Sequence, residues 1–322
     1  MKRVLVWTGG GEAGLCEALN GIEGVVVAAA TGRADALARM PEADALITST
    51  VFWDSDFALQ LQRSMRLTWV QVLNAGYDNM ERLGVPARVV LSTIGDIGSS
   101  IVAEHAICLL LALLRALPTA WNEQRAREWV AGPVARSART MHGLQVGIIG
   151  FGHIGQAFAA LALAFGARVV AFAQSARRSA SGVEVRAVES LRASLGELDA
   201  LVICAPLTGA TERMIDAQAF AAMKPGAYLV NVSRGAIVDT PALLAALDRG
   251  ILAGAALDVV EPEPLPGSHA LWSAANVILT PHTAWAGGGR PHLQRLRELL
   301  SENVRRFARG EPVLHAAPVR RP

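Results

Sequence analysis

The chain has 322 residues, 52% of them hydrophobic and 18% charged, with a formal net charge of +2. That length exceeds one small domain and suits two lobes, each able to bury a core. Near-neutral charge with scattered arginines argues against a nucleic-acid partner.

Residues Lys2 to about Asp96 alternate short apolar runs with helical stretches. Val4–Trp7, Val25–Ala29, Ala45–Thr48, Trp69–Leu73 and Val89–Ser92 read as parallel strands of a doubly wound lobe. Such a lobe takes ligands at the carboxyl ends of its strands. Two of those ends stand out: Thr50-Val51-Phe52-Trp53, which carries bulky aromatics, and Asn74-Ala75-Gly76-Tyr77-Asp78, whose small residues suit exposed backbone N–H groups. Gly9, Gly11 and Gly14 spell GxGxxG after the first strand. The helix that follows has room for only about ten residues, roughly 15 Å, so this cluster reads as a plain strand-to-helix turn.

Ser99 to Arg115 is expected to be a long buried helix, with Glu104 and His105 bonded to neighbouring backbone. Its most apolar part, Ala106–Leu117, is too short to span a bilayer and carries Arg115. Met1-Lys2-Arg3 does not begin a signal peptide, so no membrane partner and a cytoplasmic location are expected. Cys16, Cys108 and Cys204 are far apart in apolar sequence and are expected to be buried free thiols, matching neither a disulfide framework nor a metal site. Trp121–Gly132 is a polar, aromatic-bearing excursion expected to reach a second subunit.

Val146 to Ile149 then begins a second, more telling GxGxxG unit. Gly150, Gly152 and Gly155 follow the strand, a helix runs to Phe165, Gly166 stops it, and Val169–Phe172 forms the next strand. Gly150 allows the tight turn, Gly152 the approach of a pyrophosphate, and Gly155 close helix–strand packing. The helix start, with His153 and Ile154, offers free N–H groups to the diphosphate. This context makes the motif a dinucleotide site. A carboxylate at the end of the second strand would select NAD, yet no Asp or Glu occurs between Gly155 and Glu184. Ala173 stands there, followed by Gln174, Ser175, Ala176, Arg177 and Arg178. Losing the anion and gaining guanidiniums favours NADP over NAD.

Later strands, Ala200–Cys204, Tyr228–Val232, Ala255–Val259 and Val277–Thr280, each end in polar or ionisable residues: Pro206 and Thr208, Arg234, Asp258 with Glu263, and His282. Gly287–Gly289 reads as a flexible junction, Pro291–Gly310 as an amphipathic helix returning to the first lobe, and the remaining tail as loosely ordered.

Taken together, the chain resembles the D-isomer-specific 2-hydroxyacid dehydrogenase family. The resemblance runs from Asn74-Ala75-Gly76-Tyr77-Asp78-Asn79 through Val102-Ala103-Glu104-His105 to Thr280-Pro281-His282. Its most specific parts are PLTGAT (Pro206–Thr211), MKPGAYLVNVSRGAIVD (Met223–Asp239) and ALDVVEPEPLP (Ala256–Pro266). It implies a Rossmann cofactor domain, 98–286, inserted into a flavodoxin-like substrate domain, 1–97 with 287–322. It further implies that Arg234 polarises a 2-keto acid carbonyl, His282 is the general acid/base, and Glu263 keeps it charged. Ala75 and Gly76 would hold the substrate carboxylate between the lobes. Pro206, Thr211, Val232 and Asp258 would join the cofactor site, Asp258 at the carboxamide. Phe52, Trp53 and Trp285 would line the substrate pocket, favouring small acids such as glyoxylate or hydroxypyruvate. A homodimer is expected, and a dinucleotide-sensing regulator or corepressor on the same scaffold is the alternative.

Overall fold

The computed structural model describes residues 1–318. Two compact units divide the chain: Met1–Gly98 with the described part of Gly288–Pro322, and Ser99–Gly287.

The first unit is a five-stranded parallel sheet. Its strands are β1 (Lys2–Trp7), β2 (Val25–Ala29), β3 (Ala45–Thr48), β4 (Trp69–Val72) and β5 (Val90–Ser92), in the order β2-β1-β3-β4-β5. That is the flavodoxin-like order. Successive side chains of β1 enter opposite cores: Leu5 and Trp7 pack on one face, Val4 and Val6 on the other. This two-residue period under helices on both faces is why the strands read as continuous apolar runs.

The helix Gly289–Arg309 packs on the Val4/Val6 face through Leu300 and Val304. Gly289 therefore belongs to the helix rather than to a flexible junction. Asn303, wholly buried, donates to Gln71 Oε1 at 2.8 Å, and its Oδ1 accepts from the Leu314 N–H at 2.7 Å. The tail expected to be loose is thus tied down as far as Ala317. His315 O accepts from Thr93 N at 3.1 Å, and Ala317 N donates to Leu91 O at 2.8 Å, an antiparallel contact beside β5. Residues 319–322 of that expectation lie outside the described ones.

The first GxGxxG lies just after β1, and this unit closes it with its own residues. Glu12 Oε1 accepts from the N–H groups of Thr8 and Gly10 at 2.8 and 2.9 Å. Burial disfavours that carboxylate's charge, but those N–H bonds outweigh it and hold its pKa below the usual range. Across the same strand ends the Phe52 ring lies over Gly9, where a Cβ would overlap it. The following helix, Glu12–Leu19, has eight residues.

The second unit holds eight strands: β6 (Gln145–Ile149), β7 (Arg168–Ala173), β8 (Arg177–Arg178), β9 (Glu184–Ala187), β10 (Ala200–Ile203), β11 (Ala227–Asn231), β12 (Leu252–Leu257) and β13 (Val277–Leu279). Their order is β13-β12-β11-β10-β6-β7-β9-β8, all parallel except the β8–β9 pair. From β9 to β13 this is the doubly wound 3-2-1-4-5-6 order with one further strand, and it reverses between β6 and β10. Val146, Ile148 and Val202 fill one face of the sheet, and Ile149, Leu201 and Ile203 the other.

The helix Ser99–Leu114 lies against the helix His153–Ala164. It is less uniformly buried than its composition suggests, since Glu104 and Cys108 are exposed. Cys16 and Cys204 are half-buried and also free, so the expectation of three buried thiols fails at Cys108. The Cys204 sulfur itself is desolvated, which pushes its thiol up to about 12. Trp121–Gly132 falls on two helices, Leu117–Ala126 and Ala131–Ser137, neither of which has a buried residue. No single helix among the described residues is long and apolar enough to cross a membrane.

Candidate active site

The glycine turn after β6 sits at the switch point of the second sheet. Gly150 is left-handed, φ 89°, and a Cβ there would come within 2.6 Å of the Ala205 backbone at the end of β10. Gly155 is packed so closely that a Cβ would strike the Gly150 carbonyl oxygen, whereas a Cβ on Gly152 would meet nothing within 4 Å. No side chain caps the helix that starts at His153. Among the described residues, the His153 and Ile154 N–H groups have no acceptor. An open approach to unsatisfied amides at a helix start is what a diphosphate requires, so these residues fit a dinucleotide.

At the far end of β7, Gln174, Ser175, Arg177 and Arg178 are exposed. The two arginines occupy β8, where adjacent residues face opposite ways. Arg177 Nη1 reaches back to Ser175 O at 3.3 Å, while Arg178 Nη1 turns to Gly182 O at 3.2 Å. The expectation treated them as a pair; here the two side chains reach different backbone carbonyls. Pro206 is exposed. Thr211 Oγ1 closes the turn after β10, donating to Pro206 O at 2.7 Å and accepting from Thr208 N at 2.8 Å. Val232 is buried in the core.

Three strand ends bring the ionisable groups together. Arg234 follows β11 and is half-buried. Its loop is held by Asn231, which is wholly buried: Nδ2 donates to Arg234 O at 2.9 Å, and Oδ1 accepts from Ser233 N at 3.0 Å. Sequence reading did not single out Asn231, although an Asn closing an otherwise apolar strand was a usable signal. Gly235 is packed against the Val260 carbonyl, which leaves no room for a Cβ.

His282 follows β13 in the left-handed region, φ 54°, a conformation that costs a non-glycine residue roughly 1–2 kcal/mol. Its N–H donates to Asp258 O at 2.8 Å. Glu263 Oε2 lies 2.8 Å from His282 Nδ1, and its Oε1 accepts from Val260 N at 3.0 Å. The hydrogen bond to Glu263 raises the His282 pKa, against a smaller opposing effect of burial. Burial works against the Glu263 anion too, but the bonds from His282 and Val260 hold it below the usual carboxylate range. An anionic Glu263 only accepts, so Nδ1 carries a proton and Nε2 is left for a reacting group. Arg234 is close enough to act on both charges, favouring the Glu263 anion and opposing the His282 cation.

Asp258, 2% exposed, is surrounded by donors. Oδ1 accepts from Thr280 Oγ1 at 2.6 Å and Thr283 N at 2.9 Å, and Oδ2 from Ala284 N at 3.0 Å. His105 was expected to bond backbone. Its Nε2 instead lies 3.0 Å from Thr280 Oγ1 and 3.4 Å from Asp258 Oδ1, both side chains. Trp285 is 58% exposed.

In the first unit, Asn74 Oδ1 accepts from Ser49 Oγ and Thr50 N, both at 2.9 Å, which ties the two sequence-flagged loops together. Among the described residues, the Ala75 and Gly76 N–H groups have no acceptor. Trp53, 5% exposed, is buried beside Phe57. Phe52 packs on Trp7, ring centroids 5.0 Å apart.

The strand order and open glycine turn put the second unit in the class of dinucleotide-binding α/β domains. The sequence model described as D-isomer specific 2-hydroxyacid dehydrogenase, NAD binding domain, matches residues 107–284. A glyoxylate reductase of Thermococcus kodakarensis is 37% identical over 255 residues, covering 76% of this chain and 75% of that protein. A D-isomer specific 2-hydroxyacid dehydrogenase family protein of Aeromonas salmonicida superposes with a TM-score of 0.86 at 28% identity, covering 99% of both chains. The NADPH-dependent glyoxylate/hydroxypyruvate reductase of Sinorhizobium meliloti, solved with NADP and sulfate, gives 0.81 at 27% identity over 99% of this chain and 98% of that one. The chain belongs to the D-isomer-specific 2-hydroxyacid dehydrogenase family.

Proposed function

We propose that the protein reduces a small 2-keto acid to the D-2-hydroxy acid with a nicotinamide dinucleotide, glyoxylate or hydroxypyruvate being the favoured substrates. The observation that carries this reading is the His282–Glu263 pair at 2.8 Å with Arg234 acting on both. The dinucleotide, when bound, supplies the hydride. Arg234 grips the substrate carboxylate and carbonyl oxygen and draws electron density from the carbonyl carbon. His282 gives its Nε2 proton to the oxygen as it becomes an alkoxide, and Glu263 stabilises the imidazolium before that transfer.

Ala75 and Gly76 offer their N–H groups to the substrate carboxylate, and Asp258 Oδ2 has capacity for the carboxamide. Trp285 and Phe52 contact the substrate, while Trp53 acts from the core, where it packs on Phe57. The unit 99–287 serves as the cofactor domain and the remainder as the substrate domain.

NADP is favoured over NAD. Ala173 stands in place of a ribose-binding carboxylate, Arg177 on β8 turns back to Ser175 O and is a candidate for a 2′-phosphate, and the Sinorhizobium meliloti relative holds NADP. The exposed Trp121, Trp129 and Val130 support a homodimer, and the free thiols suit a reducing, cytoplasmic setting. A dinucleotide-sensing regulator is not favoured, because sensing gives no role to a protonated His–Glu pair beside an arginine.

Steady-state turnover of glyoxylate and hydroxypyruvate with NADPH and with NADH tests the reading. His282→Ala should lower kcat about 10²–10⁴-fold. Unchanged turnover in that variant would remove His282 as the acid. Arg177→Ala should raise the KM for NADPH about tenfold or more while sparing NADH, the loss of one charge-assisted phosphate contact. Arg178→Ala should do little, and equal effects on both cofactors would dismiss the phosphate assignment.

A further inference from the structure

We propose that Thr280 and His105 are positioning residues for the reaction, acting through Asp258 to set the backbone of His282. The inference rests on His282 being the acid in the reading above.

Three consecutive amides converge on one residue. His282 N donates to the Asp258 carbonyl at 2.8 Å, Thr283 N to Oδ1 at 2.9 Å and Ala284 N to Oδ2 at 3.0 Å. This convergence holds His282 in a left-handed conformation that a non-glycine residue avoids without support. The wrap is therefore only as well placed as the Asp258 carboxylate at its centre.

Thr280 joins this wrap twice: its carbonyl also accepts from His282 N at 2.9 Å, and its hydroxyl adds a side-chain donor to the carboxylate. Its hydroxyl has a single proton, and an ionised Asp258 only accepts, so the proton goes to Oδ1 at 2.6 Å. The Thr280 oxygen then has lone pairs alone to offer His105 Nε2 at 3.0 Å, which makes that ring nitrogen the donor. The bonds run from His105 to Thr280 to Asp258, each polarising the next, and the same ring nitrogen also lies 3.4 Å from Asp258 Oδ1. The line starts on the helix Ser99–Leu114, 175 residues away in sequence from Thr280, so it fixes the His282 loop against a rigid element of the same unit. No polar atom of Thr280 or His105 has to touch substrate for this to work.

Removing the hydroxyl leaves a buried carboxylate short of one donor. It must then shift toward its remaining amides, which turns the His282 ring relative to the reacting oxygen. Small misplacements of an acid reduce turnover more than binding.

The test is steady-state kinetics of the full chain with NADPH and glyoxylate, alongside thermal melts. Thr280→Val should lower kcat about 10- to 100-fold with the glyoxylate KM nearly unchanged, and Thr280→Ser, which restores the hydroxyl, should recover most of the loss. His105→Ala should give a smaller loss, and combined with Thr280→Val less than the product of the two single losses, since both act on the same carboxylate. A wild-type kcat in Thr280→Val, a serine variant as impaired as the valine one, or additive losses would each overturn the proposal. Should Thr280→Val fail to fold, His105→Ala decides on its own: a wild-type kcat there overturns the proposal, and a reduced kcat at unchanged KM supports it. His282→Ala run in parallel separates this from the parent reading, which fails if that variant still turns over.

Discussion

His282 and Glu263 illustrate how two ordinary side chains acquire a task from their placement. The hydrogen bond to Glu263 lifts the His282 pKa above its ordinary 6.5, and Glu263 sits below its ordinary 4.5 although burial opposes its charge. Below 6.5 the stabilisation of the imidazolium is fully present, and it is lost as pH rises through the raised value. The Glu263 contribution is present above 4.5 and lost as pH falls through the lowered one. The charged pair therefore persists between the lowered Glu263 value and the raised His282 value. In the proposed reduction the His282 proton is consumed, so kcat/KM should hold past pH 6.5 and fall on the basic side. Glu263→Gln should move that basic limb to lower pH in a pH–rate profile, and an unmoved limb would show that Glu263 does not tune the acid. Arg234, Glu263 and His282 could be named from the sequence because each follows an apolar strand within a motif of the family that the chain resembles. Asn231 and Thr280 were harder to see. Their partners are settled by backbone geometry and, for Thr280, by a histidine remote in the chain.

At the level of elements, the periodicity of β1 and the apolar runs of β6, β10 and β11 were readable, because a strand covered on both faces has few residue types to choose from. The β8–β9 hairpin was not. Its strand is two residues long and rich in arginine, so only the pairing with Glu184 and Val185 reveals that its side chains diverge. The tail was misjudged for a related reason: proline and arginine mark a loose end by composition, while Asn303 and the open edge of β5 supply the bonds that dock it. The turn after β6 gives the sharpest element-level expectation. Gly150→Ala places a Cβ on a left-handed residue and against Ala205, which should cost about 1–3 kcal/mol. It should lower Tm and weaken dinucleotide binding in a fluorescence titration. A variant with the parent Tm and affinity would mean the turn yields to a methyl group.

Over the whole molecule, two sheets of the same doubly wound kind each begin with a strand and a GxGxxG turn, and their cores are built by the same alternation. The difference between them lies in what each turn does with its amides. After β6 they are left open. After β1 Glu12 occupies them and Phe52 roofs the crevice. An anion arriving at the first turn would meet a resident negative charge in the seat it needs. The duplicated signature therefore does not double the capacity of the chain: calorimetric titration should return one equivalent of nucleotide per polypeptide, and a second equivalent would mean that the internal carboxylate can be evicted.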